Sequence, residues 1–300
     1  MRTETIYLYE ERKDVTLTAY LLEDSPEIRI SGRRPAVIIN PGGAYVILSD
    51  REAEPIAMRF AAMGFQAFVL RYSVMNSIDN KWPEDVSTLP EVRKEVLYPA
   101  PVLELGKAMM IVKEHTEEWS VDPEKIGVCG FSAGGHNATM YASLWSNELL
   151  TENFKTTEEN LKPAFCIAGY PFVDWELQYN QEMDEVTRDS YKWMYIDYFG
   201  TPDPTVEEMH ACSPNYLINE KTVPTFIWNT STDSAVNPRH SIRLMEALVE
   251  KQIPCEYHMF GEGPHGLALA DESTKQNEGD VNDVVAKWVP LAEKWLKKIV

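Results

Sequence analysis

The sequence predicts an α/β fold with a mainly parallel central sheet flanked by helices. Three observations carry this. Short apolar runs alternate with helix-like stretches along most of the chain. One such run leads straight into Gly130-Phe131-Ser132-Ala133-Gly134, the pattern of a serine on a sharp strand-to-helix turn. Two long segments, 73–99 and 172–219, break the alternation, as insertions over the C-terminal edge of a sheet would.

Residues 6–9 and 15–22 read as an opening antiparallel hairpin, and 36–40 as a short apolar strand. Residues 52–63 suit a helix ended by Gly64, with 66–72 as the next strand. In 101–118, Val102, Leu105, Met109 and Val112 share one helical face. The run 125–129 is the strand before the serine, and 133–144 is a helix of good formers without proline. Strands follow at 164–169, 222–230 and 254–260, with a helix at 238–251. The chain closes on a predicted helix over 281–300, striped by Val281, Val284, Val285, Trp288, Leu291, Trp295 and Ile299. Segment 73–99 is polar and holds several prolines. Segment 172–219 is rich in Tyr and Trp, and suits either a lid and pocket wall or a helical patch completing the core. The whole, 1–300, is expected to form one domain.

Composition narrows the partners. The chain carries 47 acidic and 28 basic residues, a formal net charge of −19. Nucleic acid and anionic membrane surfaces would be repelled by it. No apolar run has transmembrane length, and the N-terminus has no signal-like apolar stretch. Cys129, Cys166, Cys212 and Cys255 are widely spaced, with no CxxC pair. Reduced core cysteines, no zinc site and a cytoplasmic location are therefore expected. Assembly into a homo-oligomer is left open.

The chemistry starts at Ser132. A hydroxyl is a poor nucleophile at neutral pH unless a base lies within hydrogen-bond reach and an acid orients that base. On serine turns of this kind the chain order is Ser, then Asp or Glu, then His. Asp233 lies in the loop just past the 222–230 strand. His265 follows the 254–260 strand in the flexible stretch Gly261-Glu262-Gly263-Pro264-His265-Gly266. The other histidines fit less well. His115 and His210 precede the acid, His240 is helical and His258 lies within a strand. His136 is four residues along the helix, pointing away from the hydroxyl as packing or pocket lining. Oxyanion donors are expected from the amide of Ala133 and from Gly42, Gly43 and Ala44, in the Pro41-Gly42-Gly43-Ala44-Tyr45 loop after an early strand. Tyr45 and Trp175 are candidates for the substrate wall.

Taken together, the Pro41–Tyr45 loop, Val121-Asp122-Pro123-Glu124-Lys125-Ile126 before the serine turn, Asp233 and Gly263-Pro264-His265-Gly266 resemble the α/β-hydrolase esterase/lipase group. The likeness is nearest to bacterial acetyl esterases, including acetyl-xylan and feruloyl types, and runs from about residue 35 onward. It implies an α/β-hydrolase fold and hydrolysis of a small-molecule or oligosaccharide ester, with no metal or organic cofactor needed. Members often read Pro-Gly-Gly-Gly-Tyr, so Ala44 departs from the pattern and suits a narrowed pocket. Their acid loop often carries two adjacent acidic residues, whereas here Thr232 precedes a single Asp233. Two rivals remain at this stage: a serine peptidase of the same fold, and a non-catalytic binding protein.

Overall fold

The structure, a computed structural model, describes residues 1–25, 27–28 and 32–300. Strands β1 (Arg2–Tyr7), β2 (Thr16–Leu21), β3 (Arg34–Asn40), β4 (Gln66–Arg71), β5 (Val121–Phe131), β6 (Cys166–Gly169), β7 (Thr225–Thr230) and β8 (Cys255–Phe260) form one sheet. Its order is β1-β2-β4-β3-β5-β6-β7-β8. The β1–β2 and β2–β4 pairs are antiparallel; every other pair is parallel. The expected opening hairpin and mainly parallel α/β sheet are thus both present.

Eleven α-helices are found among the described residues. In chain order they are α1 (Glu54–Ala62), α2 (Ala100–Glu114), α3 (Ser132–Leu144), α4 (Glu148–Phe154), α5 (Glu158–Leu161) and α6 (Trp175–Tyr179), followed by α7 (Glu185–Phe199), α8 (Val206–Ala211), α9 (Pro214–Leu217), α10 (Arg239–Glu250) and α11 (Trp288–Ile299). Strand periodicity assigns the two faces of the sheet. Ala36, Ile38, Phe68 and Leu70 face a core built with α2 and α3. Val37, Ile39, Ala67 and Val69 face a second core built with α1 and α11. A smaller cluster joins Ala168 and Ile227 to Leu244 and Leu248 of α10.

Two expectations need adjusting. The closing helix begins later than the stripe suggests. Asn282 accepts the amides of Val284 and Val285, both at 3.1 Å, and a short 3₁₀ turn (Val285–Lys287) precedes α11. Val284 is accordingly exposed, while Trp288 and Trp295 are buried. Segment 172–219 contains α6 to α9. Asp184 caps α7, accepting the Thr187 amide at 2.9 Å, and Gly200 ends it at φ 78°. Trp175, Tyr195 and Tyr198 enter the main core; Met194 joins them there and, with Val186 and Tyr191, also faces a cavity at the sheet edge.

The parallel strands set the position of that cavity. β3, β5, β6, β7 and β8 all end on the same edge. Their C-terminal loops carry Pro41–Tyr45, Ser132, Tyr170, Asp233 and His265 respectively.

Candidate active site

β5 runs apolar and buried to Phe131. The chain then turns at Ser132, whose φ is 52°, and enters α3. Close packing explains both flanking glycines. A Cβ on Gly130 would lie 2.0 Å from the Gly134 carbonyl oxygen, and one on Gly134 2.0 Å from that of Asn40 in β3. Only hydrogen fits at either position.

Ser132 Oγ lies 2.8 Å from His265 Nε2, and His265 Nδ1 lies 2.6 Å from Asp233 Oδ2. The other Asp233 oxygen accepts the amides of Ala235 and Val236, at 3.0 and 2.9 Å. Asp233 therefore acts purely as acceptor. His265 Nδ1–H donates to it, which leaves Nε2 free to accept the Ser132 O–H. Burial alone would push His265 down. The hydrogen bond and charge of Asp233, with the charge of Glu52, carry it net above its ordinary 6.5. A hydroxyl bonded to a base that a carboxylate orients can lose its proton as it attacks a carbonyl.

The loop after β3 is tightly bent. Gly43, Ala44 and Tyr45 have φ values of 128°, 56° and 63°. A Cβ on Gly43 would come within 2.2 Å of the Ile47 carbonyl oxygen. Val46 and Ile47 both donate to Gly43 O at 3.0 Å, Ser49 donates to Gly42 O at 2.8 Å, and the Tyr72 hydroxyl donates to Pro41 O at 2.6 Å. Among the described residues the amides of Gly43 and Ala44 have no protein partner. The Ala133 amide opens α3, where no helical acceptor reaches it. All three residues line the cavity beside Ser132. Gly42 departs from the expectation: its amide donates to Glu52 Oε2 at 2.6 Å, so it is not available to an oxyanion.

The cavity is about 420 Å³, within the range that holds small ligands. Its apolar wall includes Trp82, Phe172, Val186, Tyr191, Met194 and Val236; Arg51 and Glu52 are its charged members. Trp82 comes from segment 73–99, and Val186, Tyr191 and Met194 from α7. The Trp193 indole N–H donates to Val86 O at 3.1 Å and links the two insertions.

Tyr45 and Trp175, expected in the substrate wall, are not there. They are 1% and 0% exposed. The Tyr45 hydroxyl donates to His136 Nδ1 at 2.6 Å, and His136 Nε2–H donates to Cys212 O at 2.7 Å. The Trp175 indole donates to the same carbonyl at 3.0 Å. Burial pushes His136 down to about 3 and keeps it neutral. The physical reason for the correction is burial with satisfaction. Each large ring removes its apolar face from water, and its one polar atom still finds a partner. The remaining histidines also lie outside the Ser132 chain. His240 accepts the amides of Val173 and Asp174, while His210 and His258 bond to Glu176 and Glu256. His115 stacks on Trp119.

Glu52, Tyr170 and the α7 wall went unread in the sequence. Glu52 looks like an ordinary acidic residue at a helix start, and nothing local marks its burial. Phe172 and the α7 residues lay inside a segment whose aromatic richness was the only signal.

Among the described residues, no group of three or more His, Cys, Asp or Glu converges as a metal site would require. No helix among them is long and apolar enough to cross a membrane. The four cysteines are unpaired.

The family described as BD-FAE matches residues 27–248. The chain is similar to the crystal structure of the carboxylesterase Cest-2923 from Lactobacillus plantarum WCFS1, with a TM-score of 0.78 and 28% identity, covering 99% of this chain and 98% of that one. It is also similar to the acetyl ester-xyloside bifunctional hydrolase from Caldicellulosiruptor lactoaceticus, with a TM-score of 0.75 and 26% identity, covering 99% and 97%. An acetylxylan esterase from Xylanibacter ruminicola is 25% identical over 244 residues, 80% of this chain and 42% of that protein. The chain spans about a third to a half of the length of the curated relatives it matches. The sheet order and these likenesses make the fold an α/β-hydrolase.

Proposed function

The chain belongs to the BD-FAE family, and on that premise we propose that it is a serine carboxylesterase cleaving short acyl esters, acetyl esters of carbohydrate foremost. The observation that carries this reading is the hydrogen-bonded chain from Ser132 through His265 to Asp233, beside free amides and an apolar cavity. The acetyl and carbohydrate parts draw on two relatives, an acetylxylan esterase and an acetyl ester-xyloside bifunctional hydrolase.

The reaction runs in two halves. Ser132 Oγ attacks the ester carbonyl while His265 Nε2 takes its proton. The developing oxyanion is held by the amide of Ala133 and by those of Gly43 and Ala44. His265 then returns the proton to the leaving alcohol, and an acyl group remains on Ser132. Water attacks that acyl group with His265 again as base, releasing the acid and restoring the hydroxyl. Asp233 keeps Nδ1 protonated and stabilises the imidazolium in both halves. The two insertions act as walls of the substrate pocket, with Trp82 and α7 shaping its mouth.

Labelling by a fluorophosphonate tests the assignment. Wild-type protein is expected to react covalently. Ser132→Ala should not label, and its kcat should fall by roughly three or more orders of magnitude with the fold retained. Normal turnover in that variant would remove the reading.

A further inference from the structure

We propose that Glu52 is a positioning residue, whose buried carboxylate holds the oxyanion loop and the His265 loop in register about Ser132. The proposal rests on the serine-esterase reading above.

Glu52 ends a 3₁₀ turn (Asp50–Glu52) just before α1 and is 3% exposed. Its Oε2 accepts the Gly42 amide at 2.6 Å. Its Oε1 accepts the Tyr170 hydroxyl, also at 2.6 Å. The Tyr170 oxygen in turn accepts the Ala268 amide at 2.9 Å, three residues beyond His265. The Tyr170 ring stands edge-on to the His265 imidazole, with centroids 5.0 Å apart. One carboxylate thus joins the loop after β3, the end of β6 and the loop after β8. Those segments carry the oxyanion amides, the ring beside the base, and the base itself.

The direction of each hydrogen bond suits an ionised carboxylate. Donation runs from Ala268 to Tyr170 to Glu52, and from Gly42 to Glu52. Both carboxylate oxygens are therefore acceptors, which an ionised group satisfies without further partners and a protonated one does not. Burial nonetheless raises the Glu52 carboxyl above its ordinary range, with Tyr170 and Gly42 pulling the other way.

The oxyanion loop has reason to need such a hold. Ala44 and Tyr45 both occupy the left-handed region, which the chain keeps only where its surroundings fix it. By taking the Gly42 amide, Glu52 anchors the loop immediately before its free amides. The carboxylate also sits close behind the nucleophile: a Cβ on Gly42 would be 2.8 Å from both Glu52 Oε2 and Ser132 Cβ.

When ionised, Glu52 also favours the imidazolium that forms on His265. The other groups facing that ring leave this effect standing. Asp233 is the bonded partner, and Tyr170 presents a ring edge. His240 is buried and neutral, pushed down to about 3 by desolvation. Arg51, on the cavity wall, is paired with Asp280 at 3.1 Å and donates Nε–H to Thr274 O.

The test compares wild type, Glu52→Gln, Tyr170→Phe and Ser132→Ala, using a p-nitrophenyl acetate pH series, fluorophosphonate labelling and circular dichroism. Gln keeps the shape of Glu but loses the charge and one acceptor. For Glu52→Gln we expect kcat to fall roughly 10- to 100-fold, the scale of a misplacement of about 1 Å. KM should stay within about threefold, and the acid limb of kcat/KM should move to lower pH. Wild-type kcat with an unmoved acid limb would overturn the proposal. Should Glu52→Gln fail to fold, Tyr170→Phe decides. It removes the link from Glu52 to the His265 loop, so a several-fold loss of kcat at constant KM supports the proposal and wild-type kinetics reject it. If Ser132→Ala still labels, the serine reading falls and takes this one with it. If Ser132→Ala is inert while the folded Glu52 variant matches wild type, only the role of Glu52 is lost.

Discussion

Ser132 at φ 52°, Ala44 at 56° and Tyr45 at 63° put three non-glycine residues in the left-handed region, the first two on the cavity wall and Tyr45 just behind it. Each costs roughly 1–2 kcal/mol over ordinary backbone. The packing at Gly130 and Gly134 and the bonds to Pro41, Gly42 and Gly43 hold them there. The charge on His265 makes this site testable by pH. The proposed mechanism needs a neutral imidazole, and His265 is carried net above 6.5, so activity should rise with pH through a midpoint above that value. A kcat/KM profile on a short ester from about pH 5 to 9 measures this; a midpoint at or below the ordinary histidine value of ~6.5 would contradict it. The stability link has the opposite sense. A histidine with a raised folded pKa lends its stabilisation fully below 6.5 and loses it as pH rises through the folded value. The protein should therefore be most active where this residue stabilises it least. Ser132, Asp233 and His265 could be picked out in the sequence because their chain order and loop positions are local signals. Glu52 could not, because its burial depends on Gly42 and Tyr170, which only the tertiary fold brings to it.

Helix α2 shows how much a periodicity captures and what it leaves out. Val102, Leu105, Met109 and Val112 all lie in the core, as their spacing implies. Yet Glu104, beside Leu105, is 0% exposed, and one charged residue among the several in this helix gives no such warning. Its carboxyl accepts the Ser73 amide at 2.6 Å, bonds the Ser73 hydroxyl, and lies 3.7 Å from Arg12. Burial pushes it up to about 7, against the pull of Ser73 and Arg12. The fold thus prefers the protonated form. That preference stabilises fully below the ordinary carboxyl value of 4.5 and is lost as pH rises through about 7. Glu104→Gln can accept the Ser73 amide on its oxygen and donate its own N–H to the Ser73 hydroxyl, and it cannot ionise. Relative to wild type it should gain stability from pH 5 to pH 9, by up to about 3 kcal/mol. Urea unfolding at the two pH values measures the gap; a gap that does not change with pH would contradict the argument. The closing helix gives the complementary case. Val281 and Val284 fit its stripe, but the Asn282 side chain captures the next amides and delays the first turn.

At the scale of the molecule, the sheet edge and two insertions line a cavity of about 420 Å³ that the acyl and alcohol groups of the proposed substrate would share. With Tyr45 and Trp175 buried in the core, the walls come from Phe172, Trp82 and α7, and Ala44 places a methyl group on the proposed oxyanion loop. Acetate should therefore outpace butyrate, and octanoate should trail by roughly tenfold or more, since crowding a long chain disturbs the attack geometry. The kcat/KM series on the three p-nitrophenyl esters decides this, and a preference for octanoate would redirect the reading to a lipase-like enzyme. The alternation of strands and helices made the α/β class legible from sequence, whereas the destination of the aromatic-rich segment was not, because burial and cavity lining use the same residue types. The Ser132–His265 bond has a further consequence, for how the chain acquires its site. Its partners are 133 residues apart, and between them the chain must complete β6, β7 and β8 in parallel register. A fragment folded locally around either residue, without those strands, cannot hold the two side chains together. On the proposed mechanism, a chain in which β8 has not docked lacks its base and is inert however much helix it has formed.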